Sequence, residues 1–282
     1  MKVPRGIFAG VCALLICGVV LPGFADEIPK AAWRRPIGQP LANAGTAKPA
    51  LGPGHIDDGY WQGAPVGGFG AGTFSRSFRG DFSRWHLQPG VHKFQTVWAN
   101  QFAMFQKSEG EASGTAKVLF TGHPGGNSLK AWDWDYPVGA GDYAALYPKA
   151  WFDYRWDKFP AHVTVEQFSP VLPDNYKETS YPVAVYRWHA ENPTKKRITV
   201  SVLLSWENML GWTRGNERDF RAALNEGNHN RFNSEQLGDG TMKGVVFERN
   251  RGGRETSAWD GQMTIAALES PGVEVSYVTT FS

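Results

Sequence analysis

The amino-acid sequence predicts an all-β fold, an antiparallel β-sandwich, from three observations. Apolar residues recur with a period of two in several short runs, which is the spacing of a strand that buries one face. Turn-forming residues are frequent, with 33 glycines and 18 prolines, so long helices have little room. Only residues 217–226, "ERDFRAALNE", form a modest helix candidate. Strands of this kind bury their apolar faces most simply when two sheets pack together.

Six runs are predicted strands, in chain order 163–168, 181–192, 197–206, 244–249, 263–268 and 273–281. In the second run Ala184, Tyr186 and Trp188 fall on one face, and in the third Trp206 is in phase with four aliphatic residues. We therefore expect Trp188 and Trp206 to be core residues. The intervening "NPTKK", residues 192–196, predicts a hairpin that pairs the second run with the third.

The first 25 residues have the layout of a secretory signal peptide. A basic start is followed by the uncharged run 7–21, and the small residues Gly23 and Ala25 then precede Asp26. The alternative, an uncleaved membrane anchor, is disfavoured because the apolar run is shorter than the ~20 residues of a spanning helix and ends in Pro-Gly. The sequence thus predicts export to the periplasm or the extracellular space, with no stable membrane span after cleavage.

Two segments follow the predicted signal peptide of residues 1–25. Residues 26–58 are rich in proline, glycine and alanine without a sustained hydrophobic period, so we interpret them as an extended lead-in. Residues 59–282 are predicted to form one β-sandwich domain. The last strand-like run reaches the end of the sequence, and we expect the domain to be truncated at its C-terminus.

Cleavage would remove both cysteines, Cys12 and Cys17, so the mature chain would have neither a disulfide nor a thiol nucleophile. It would also remove two basic residues, and the remaining 27 (29 − 2) would balance 27 acidic residues. A net charge near zero gives no reason to expect nucleic acid or an anionic membrane as a partner. The seven histidines lack metal-binding spacing, so neither a metal nor another cofactor is predicted.

A glycine-rich stretch, "PVGGFGAGTFSRSFRGDFSRWHLQPG", occupies residues 65–90. It misses the spacing of a dinucleotide-binding fingerprint and lacks the lysine of a P-loop. No helical period follows it, so no helix N-terminus would be available to hold a phosphate. We therefore expect a tight turn in which backbones pack closely.

The same stretch resembles the N-terminal signature of glycoside hydrolase family 116, the family of non-lysosomal glucosylceramidase, also called bile-acid β-glucosidase. Two further stretches resemble the family in the same order: "LYPKAWFDY" at 146–154 and "VEQFSPVLPDNYKETSYPVAVYRWHAENP" at 165–193. The second is followed by "LLSWENMLGW" at 203–212. The resemblance covers roughly residues 58–282.

The resemblance implies a larger enzyme than this chain. Family members have an N-terminal β-sandwich followed by an (α/α)6 barrel, and the barrel carries both carboxylates of a retaining mechanism that cleaves β-linked glycosides. The implied function is that of the non-catalytic part of an exported β-glucosidase-like or glucosylceramidase-like enzyme. Its implied partners are the catalytic barrel, in cis or from a neighbouring reading frame, and the β-linked glycoside. The alternative is a stand-alone glycan-binding or structural β-sandwich module without catalysis.

No catalytic residue is predicted within the chain. Retaining hydrolysis needs two carboxyl groups ~5–5.5 Å apart, one of them with a raised pKa. Because the resemblance places that pair beyond residue 282, no acidic residue of this chain is assigned a catalytic role. The candidates by residue type alone are Asp81, Asp153, Glu166, Asp174, Glu178 and Glu207.

Two surfaces are predicted to make contacts. Arg79, Arg84 and Trp85 are candidates for a domain interface, because arginine and tryptophan are frequent interface anchors. Strand geometry would place Arg76 with Arg84 on one face, and Arg79 with Trp85 on the other. Sugar rings stack on exposed aromatic rings, and the candidate glycan contacts are Trp132, Trp134 and Trp212.

Overall fold

A computed structural model describes residues 11–17, 27–39, 63–88, 91–126, 129–210, 227–249 and 261–280, with the backbone alone for 11–17, 88, 91 and 92. These residues form sixteen strands and one short helix, so the predicted all-β fold is confirmed. The elements are β1 Val11–Cys17, β2 Trp33–Pro36, β3 Pro65–Gly68, β4 Gly72–Arg76, β5 Phe82–Gln88, β6 Val91–Phe94, β7 Gln101–Ser108, β8 Thr115–Val118, β9 Gly141–Leu146, β10 Lys149–Tyr154, β11 His162–Phe168, α1 Tyr176–Thr179, β12 Val183–Glu191, β13 Ile198–Ser205, β14 Asn228–Leu237, β15 Gly240–Arg249 and β16 Gln262–Glu269.

The strands form three sheets. The largest has nine strands in the order β14-β15-β16-β1-β12-β11-β10-β9-β2. A three-stranded sheet has the order β13-β7-β8, and a four-stranded sheet has the order β3-β4-β5-β6. Strand pairs are antiparallel except that β1 runs parallel to both of its neighbours. The large sheet forms one layer of the sandwich, and the two smaller sheets face it.

Aromatic side chains from all three sheets meet in one core. Phe82 of the four-stranded sheet lies 5.7 Å from Phe102 of the three-stranded sheet, between ring centres. The Phe102 ring is in turn 5.0 Å from Tyr186 and 5.1 Å from Trp188, both on the large sheet. Trp188 and Trp206 are buried, as predicted from their strand phase.

The predicted hairpin at residues 192–196 is wrong. β12 belongs to the nine-stranded sheet, whereas β13 pairs with β7 in the three-stranded sheet. The connection therefore crosses from one layer to the other, with Asn192 Oδ1 accepting from the Thr194 backbone N–H at 2.9 Å. Both strands bury one face against the shared core, and their period of two does not reveal which strands become neighbours.

The predicted last strand, residues 273–281, is also wrong over its described part, residues 273–280. Residues 273–280 are irregular apart from an isolated bridge between Ser270 and Val273. This segment packs on β14, where the Tyr277 and Phe232 rings stack with centres 3.9 Å apart. The helix candidate at 217–226 lies outside the described residues.

Residues 11–17, the interior of the predicted signal peptide, form strand β1 between β12 and β16. The boundaries of the predicted signal, lead-in and domain stay predictions. No helix in the described part of the chain is long and apolar enough to cross a membrane.

Candidate functional site

A cleft of about 340 Å³ lies between the β3–β4 turn and the β9–β10 turn. Its rim carries two aromatic side chains, Phe69 and Tyr147, which are 54% and 57% exposed. Thr73, Arg84 and His86 line its wall. The described lining contains no carboxylate, so the cleft offers stacking surfaces and hydrogen-bonding groups but no acid–base pair.

The glycine turn forms one side of this cleft because its backbone approaches another segment closely. The Phe69 backbone N–H donates to the Thr179 carbonyl at 3.1 Å, and the Gly67 N–H donates to the Ser169 hydroxyl at 2.6 Å. A Cβ atom at Gly68 would clash with the Ser180 carbonyl oxygen. The prediction of a tight turn with close backbone packing is confirmed.

Strand alternation directs Trp85 and Arg84 to opposite sides of the β4–β5 pair. Trp85 faces the core, where its ring centre is 5.7 Å from that of Trp206. Its partner Phe74 stacks on Trp85 and also borders the cleft. Ser75 pairs with Arg84, and both line the cleft. Trp85 is 1% exposed, so it has no surface available for a domain interface. Trp85 was predicted as an interface residue, but it is a core residue. For Arg84 the interface role stays a prediction.

Arg76 is fully buried, which sequence reasoning missed. Its Nε donates to the Gly80 carbonyl at 2.7 Å, and its Nη2 donates to the Tyr154 hydroxyl at 2.8 Å and the Leu119 carbonyl at 3.3 Å. The guanidinium carbon lies 4.2 Å from the Phe152 ring centre. These contacts offset the loss of hydration of the cation. The only indication in the sequence is that Arg76 lies within a run of aromatic residues, and this pattern does not distinguish a buried arginine from an exposed one.

The predicted sharing of one face by Arg76 and Arg84 is wrong. Arg76 alternates normally along β4 and takes the core side with Phe74, whereas Arg84 pairs with Ser75 on the cleft side. The pairing passes from Ser75–Arg84 to Arg76–Phe82, so Ser83 of β5 is the extra residue of a bulge, and the side-chain phase does not carry over from β4 to β5. Arg79 lies in the turn after β4 and not in a strand, with its Nη2 3.4 Å from the Thr121 carbonyl oxygen. Arg79 is part-buried, and its interface role stays a prediction.

Asp81 is a buried structural acceptor. Its Oδ1 accepts from the Ser77 hydroxyl, and its Oδ2 accepts from the Thr96 hydroxyl at 2.6 Å. Burial raises the pKa of the Asp81 carboxyl, while the two hydroxyl donors and the charge of Arg79 oppose that rise. The Asp81 carboxyl group does not line the cleft. Its raised pKa therefore reflects its burial in the β4–β5 turn and not a role in the cleft.

Two further acidic candidates are held by cations. Glu166 lies 2.6 Å from Lys149 Nζ and 3.4 Å from Arg187 Nη1. Asp153 forms an ion pair with Arg155. A hydrogen bond to Asp153 raises the pKa of the Arg155 guanidinium above its ordinary value, since the carboxyl acceptor favours the charged guanidinium.

The remaining acidic candidates lie in loops and in α1. Asp174 has a positive φ of 56° in the loop before the helix. Glu178 and Asn175 exchange two hydrogen bonds at the N-terminus of α1, at 3.1 and 3.2 Å. The Glu207 backbone N–H donates to Asn100 Oδ1 at 2.6 Å. None of the six acidic candidates lines the cleft.

The predicted glycan contacts differ in exposure. Trp134 is buried, and its indole N–H donates to the Leu129 carbonyl at 2.9 Å. Trp132 is part-buried and stacks on Trp134 with ring centres 5.8 Å apart. Trp134 is therefore mainly structural, and glycan contact stays a prediction for Trp132. Trp212 lies outside the described residues.

Within the described ranges, no group of three or more His, Cys, Asp or Glu side chains could hold a metal ion.

Fold and cleft together define an all-β domain with no acid–base pair in the described cleft lining. Residues 63–282 match the family described as beta-glucosidase 2, glycosyl-hydrolase family 116 N-term. The match covers most of the chain, which therefore belongs to glycoside hydrolase family 116 as an N-terminal domain. The resemblance noted in three sequence stretches is confirmed. All described strands except β1 and β2 lie within the matched region.

Proposed function

We propose that this chain is the non-catalytic N-terminal part of an exported β-glycosidase and that it supports the catalytic (α/α)6 barrel of that enzyme. The substrates would be β-linked glycosides of the β-glucosidase or glucosylceramidase class. The observation that carries the proposal is the match of residues 63–282 to the N-terminal domain of this glycosidase family.

The surroundings of the buried carboxyl groups support a non-catalytic role. A retaining glycosidase needs one carboxyl that donates a proton and a second that attacks the sugar, both open to substrate. Asp81 has a raised pKa but is fully buried, and both of its oxygens accept from hydroxyl groups. Asp153 and Glu166 form ion pairs with Arg155 and Lys149, so each carboxyl group already has a cationic partner within the domain. The acid–base chemistry would therefore come from the catalytic part.

We place the contact with the catalytic part at the cleft. Phe69 and Tyr147 expose large aromatic side chains on its rim, and Arg84 lies in its wall. Exposed aromatic rings beside an arginine are the side chains that most often anchor interfaces. A partner surface with apolar side chains and a carboxylate would complement this face.

The first test combines the full chain with the separately produced catalytic part of a family 116 enzyme. We expect the chain alone to leave an aryl β-glucoside intact. Added to the catalytic part, it should form a complex, raise the melting temperature of that part and increase its turnover. Turnover by the chain alone that Asp81→Asn abolishes would contradict a non-catalytic role.

A second test addresses the cleft. Phe69→Ala combined with Arg84→Glu should weaken the complex about tenfold or more, because an anchor and a complementary charge are lost. The matched control is Lys195→Glu, an exposed charge reversal in the loop at the other end of β12. Calorimetric titration measures affinity, and a thermal melt checks folding. Unchanged affinity in the folded double variant would place the interface elsewhere.

A stand-alone glycan-binding module is the second candidate, favoured by the part-exposed Trp132 ring stacked on Trp134. This alternative expects the chain alone to bind a β-linked disaccharide such as cellobiose, and Trp132→Ala to abolish that binding. Phe69→Ala would serve as the matched aromatic control. If calorimetry detects no heat of binding at millimolar disaccharide, the glycan-binding alternative is excluded.

A further inference from the structure

Strand β1 holds a central position in the nine-stranded sheet. It lies between β12 and β16 and runs parallel to both. Its backbone pairs Leu14 with Ala184 on one side and with Ile265 on the other. The other named strand pairs in the described residues are antiparallel, so β1 differs from them in direction as well as in position.

β1 also comes from outside the family domain. The family match begins at residue 63, whereas β1 ends at residue 17, within the predicted signal peptide. The large sheet therefore contains a central strand that the matched domain does not supply. Removal of the signal peptide on export would leave β12 and β16 as two facing edges.

An empty position between these edges is physically unfavourable. Neighbouring strands are about 4.8 Å apart, so β12 and β16 would lie roughly 9.6 Å apart, too far to pair and wide enough for one strand. Their facing backbone groups would lose their hydrogen bonds, and the buried Tyr186 and Met263 would border a gap in the core. The position thus needs an occupant in the mature protein.

The path of the chain after β16 indicates where an occupant comes from. The Val275 N–H donates to the Glu269 carboxylate at 3.3 Å, beside the end of β16. Further on, Asn230 Nδ2 donates to the Thr279 carbonyl at 2.8 Å. Asn230 pairs with Phe247 of β15, and Phe247 pairs with Met263 near the start of β16. The chain has therefore travelled back along the sheet from the end of β16 to its start.

This return is the path of a crossover between two parallel strands. Such a crossover takes a dozen or more residues, and it delivers the chain to the end at which a parallel neighbour of β16 begins. We propose that the position held by β1 is an acceptor site for a donor strand from the polypeptide that follows this domain in the intact glycosidase. The proposal rests on the proposed function, since it requires the second part of the enzyme.

The two neighbouring strands define the chemistry of the donor. Its core-facing positions align with Ala184, Tyr186 and Ile265, so they require apolar residues. Positions on the other face align with Val185 and Arg187, where β-branched or acidic residues would fit. The donor is therefore a strand of about five or six alternating residues, parallel to β12 and β16.

Amide hydrogen exchange on three chains tests this proposal. The first is the full chain, and the second carries Leu15→Pro, which removes a ladder donor in the middle of β1. The third joins the Leu15→Pro chain at residue 282 to all of the polypeptide that follows this domain in a family 116 enzyme, including the catalytic part. We expect Leu15→Pro to accelerate exchange in β12 and β16 about tenfold or more, and the joined segment to restore slow exchange. Leu15→Ala, which keeps the backbone donor, is the matched control.

Three outcomes would overturn the proposal. In the Leu15→Pro chain, β12 and β16 could stay protected in the monomer, or their protection could return only in a dimer. In the joined chain, β12 and β16 could exchange fast. If Leu15→Pro alone unfolds, the joined chain still decides, with β10 and β11 as the internal reference. An active joined enzyme with fast exchange in β12 and β16 would contradict this inference alone. A catalytic part that is equally stable and active without this domain would contradict the proposed function.

Discussion

At the residue scale, buried polar groups hold the β4–β5 turn. Arg76 donates to the Gly80 carbonyl inside the turn, and Asp81 accepts from Ser77 across it. Asp81 also accepts from Thr96, which connects the turn to the segment before β7. Buried charges without such partners are costly, so this set of contacts restricts the turn to one conformation.

Replacing the Asp81 carboxylate tests this account. Asp81→Ala should lower the free energy of unfolding by about 2–4 kcal/mol, because two buried hydroxyl groups lose their acceptor. Asp81→Asn keeps the shape and one acceptor oxygen, so its loss should be smaller. Urea denaturation measures both variants. A loss below about 0.5 kcal/mol for the alanine variant would show that water replaces the carboxylate.

The raised pKa of Asp81 also predicts a pH dependence. Because the folded state binds this proton more tightly than the unfolded state, the contribution of Asp81 to stability is full below its unfolded pKa and is lost as pH rises through its folded pKa. Asp81→Asn should therefore gain stability relative to the wild type as pH rises from about 4 towards 7. Glu248, whose pKa is lowered mainly by Arg231, acts in the opposite sense but is present in both proteins and cancels. A difference that is flat or falls with pH would contradict the prediction.

At the element scale, the β3–β4 turn shows how glycine permits close packing. The turn lies against the chain that leaves α1, and its Phe69 N–H bonds to the Thr179 carbonyl. Packing of backbone against backbone leaves no room for a side chain at Gly68. The glycine-rich stretch thus forms one side of the cleft by its lack of side-chain volume.

Gly68→Ala should destabilise the protein by about 1–3 kcal/mol, because the new methyl group would overlap the Ser180 carbonyl. The substitution should also lower the affinity of the cleft for any ligand or partner that binds there. The matched control is Gly125→Ala, where a Cβ atom meets nothing within 4 Å. Thermal melts of both variants provide the measurement, and equal melting temperatures would contradict the packing argument.

At the scale of the whole molecule, the predicted export signal and the large sheet use the same residues. β1 occupies a central position in that sheet, while the sequence predicts that residues 1–25 are removed. Export would thus change the sheet itself, and the order of cleavage and folding would determine which strand completes it.

We expect the secreted protein to begin at Asp26, as measured by intact mass. Ala25→Trp should block cleavage, because signal peptidase sites require a small residue before the cut. Ala25→Gly, which keeps a small residue, should be processed normally and is the control. A membrane-bound product that retains Met1 would overturn the export prediction.

The fold class, the family and the buried face of individual strands could be predicted from the order of amino acids alone. The period of two in β12 placed Ala184, Tyr186 and Trp188 in the core, because side chains alternate along any strand whatever its partner. The glycine spacing likewise predicted a tight turn, although not the distant segment, residues 179–180, that packs against it. These features depend on neighbouring residues in the chain, so they can be inferred without knowledge of distant contacts.

Strand pairing and the positions of the charged groups could not be predicted in this way, because they depend on three-dimensional contacts. β13 joined β7 and not β12, Arg76 took the core side of β4, and Trp85 took the core side of β5 while Arg84 took the cleft. The cleft itself combines the β3–β4 turn with the distant β9–β10 turn. Each of these outcomes depends on packing between segments far apart in sequence. Local periodicity does not report the free energy of that packing.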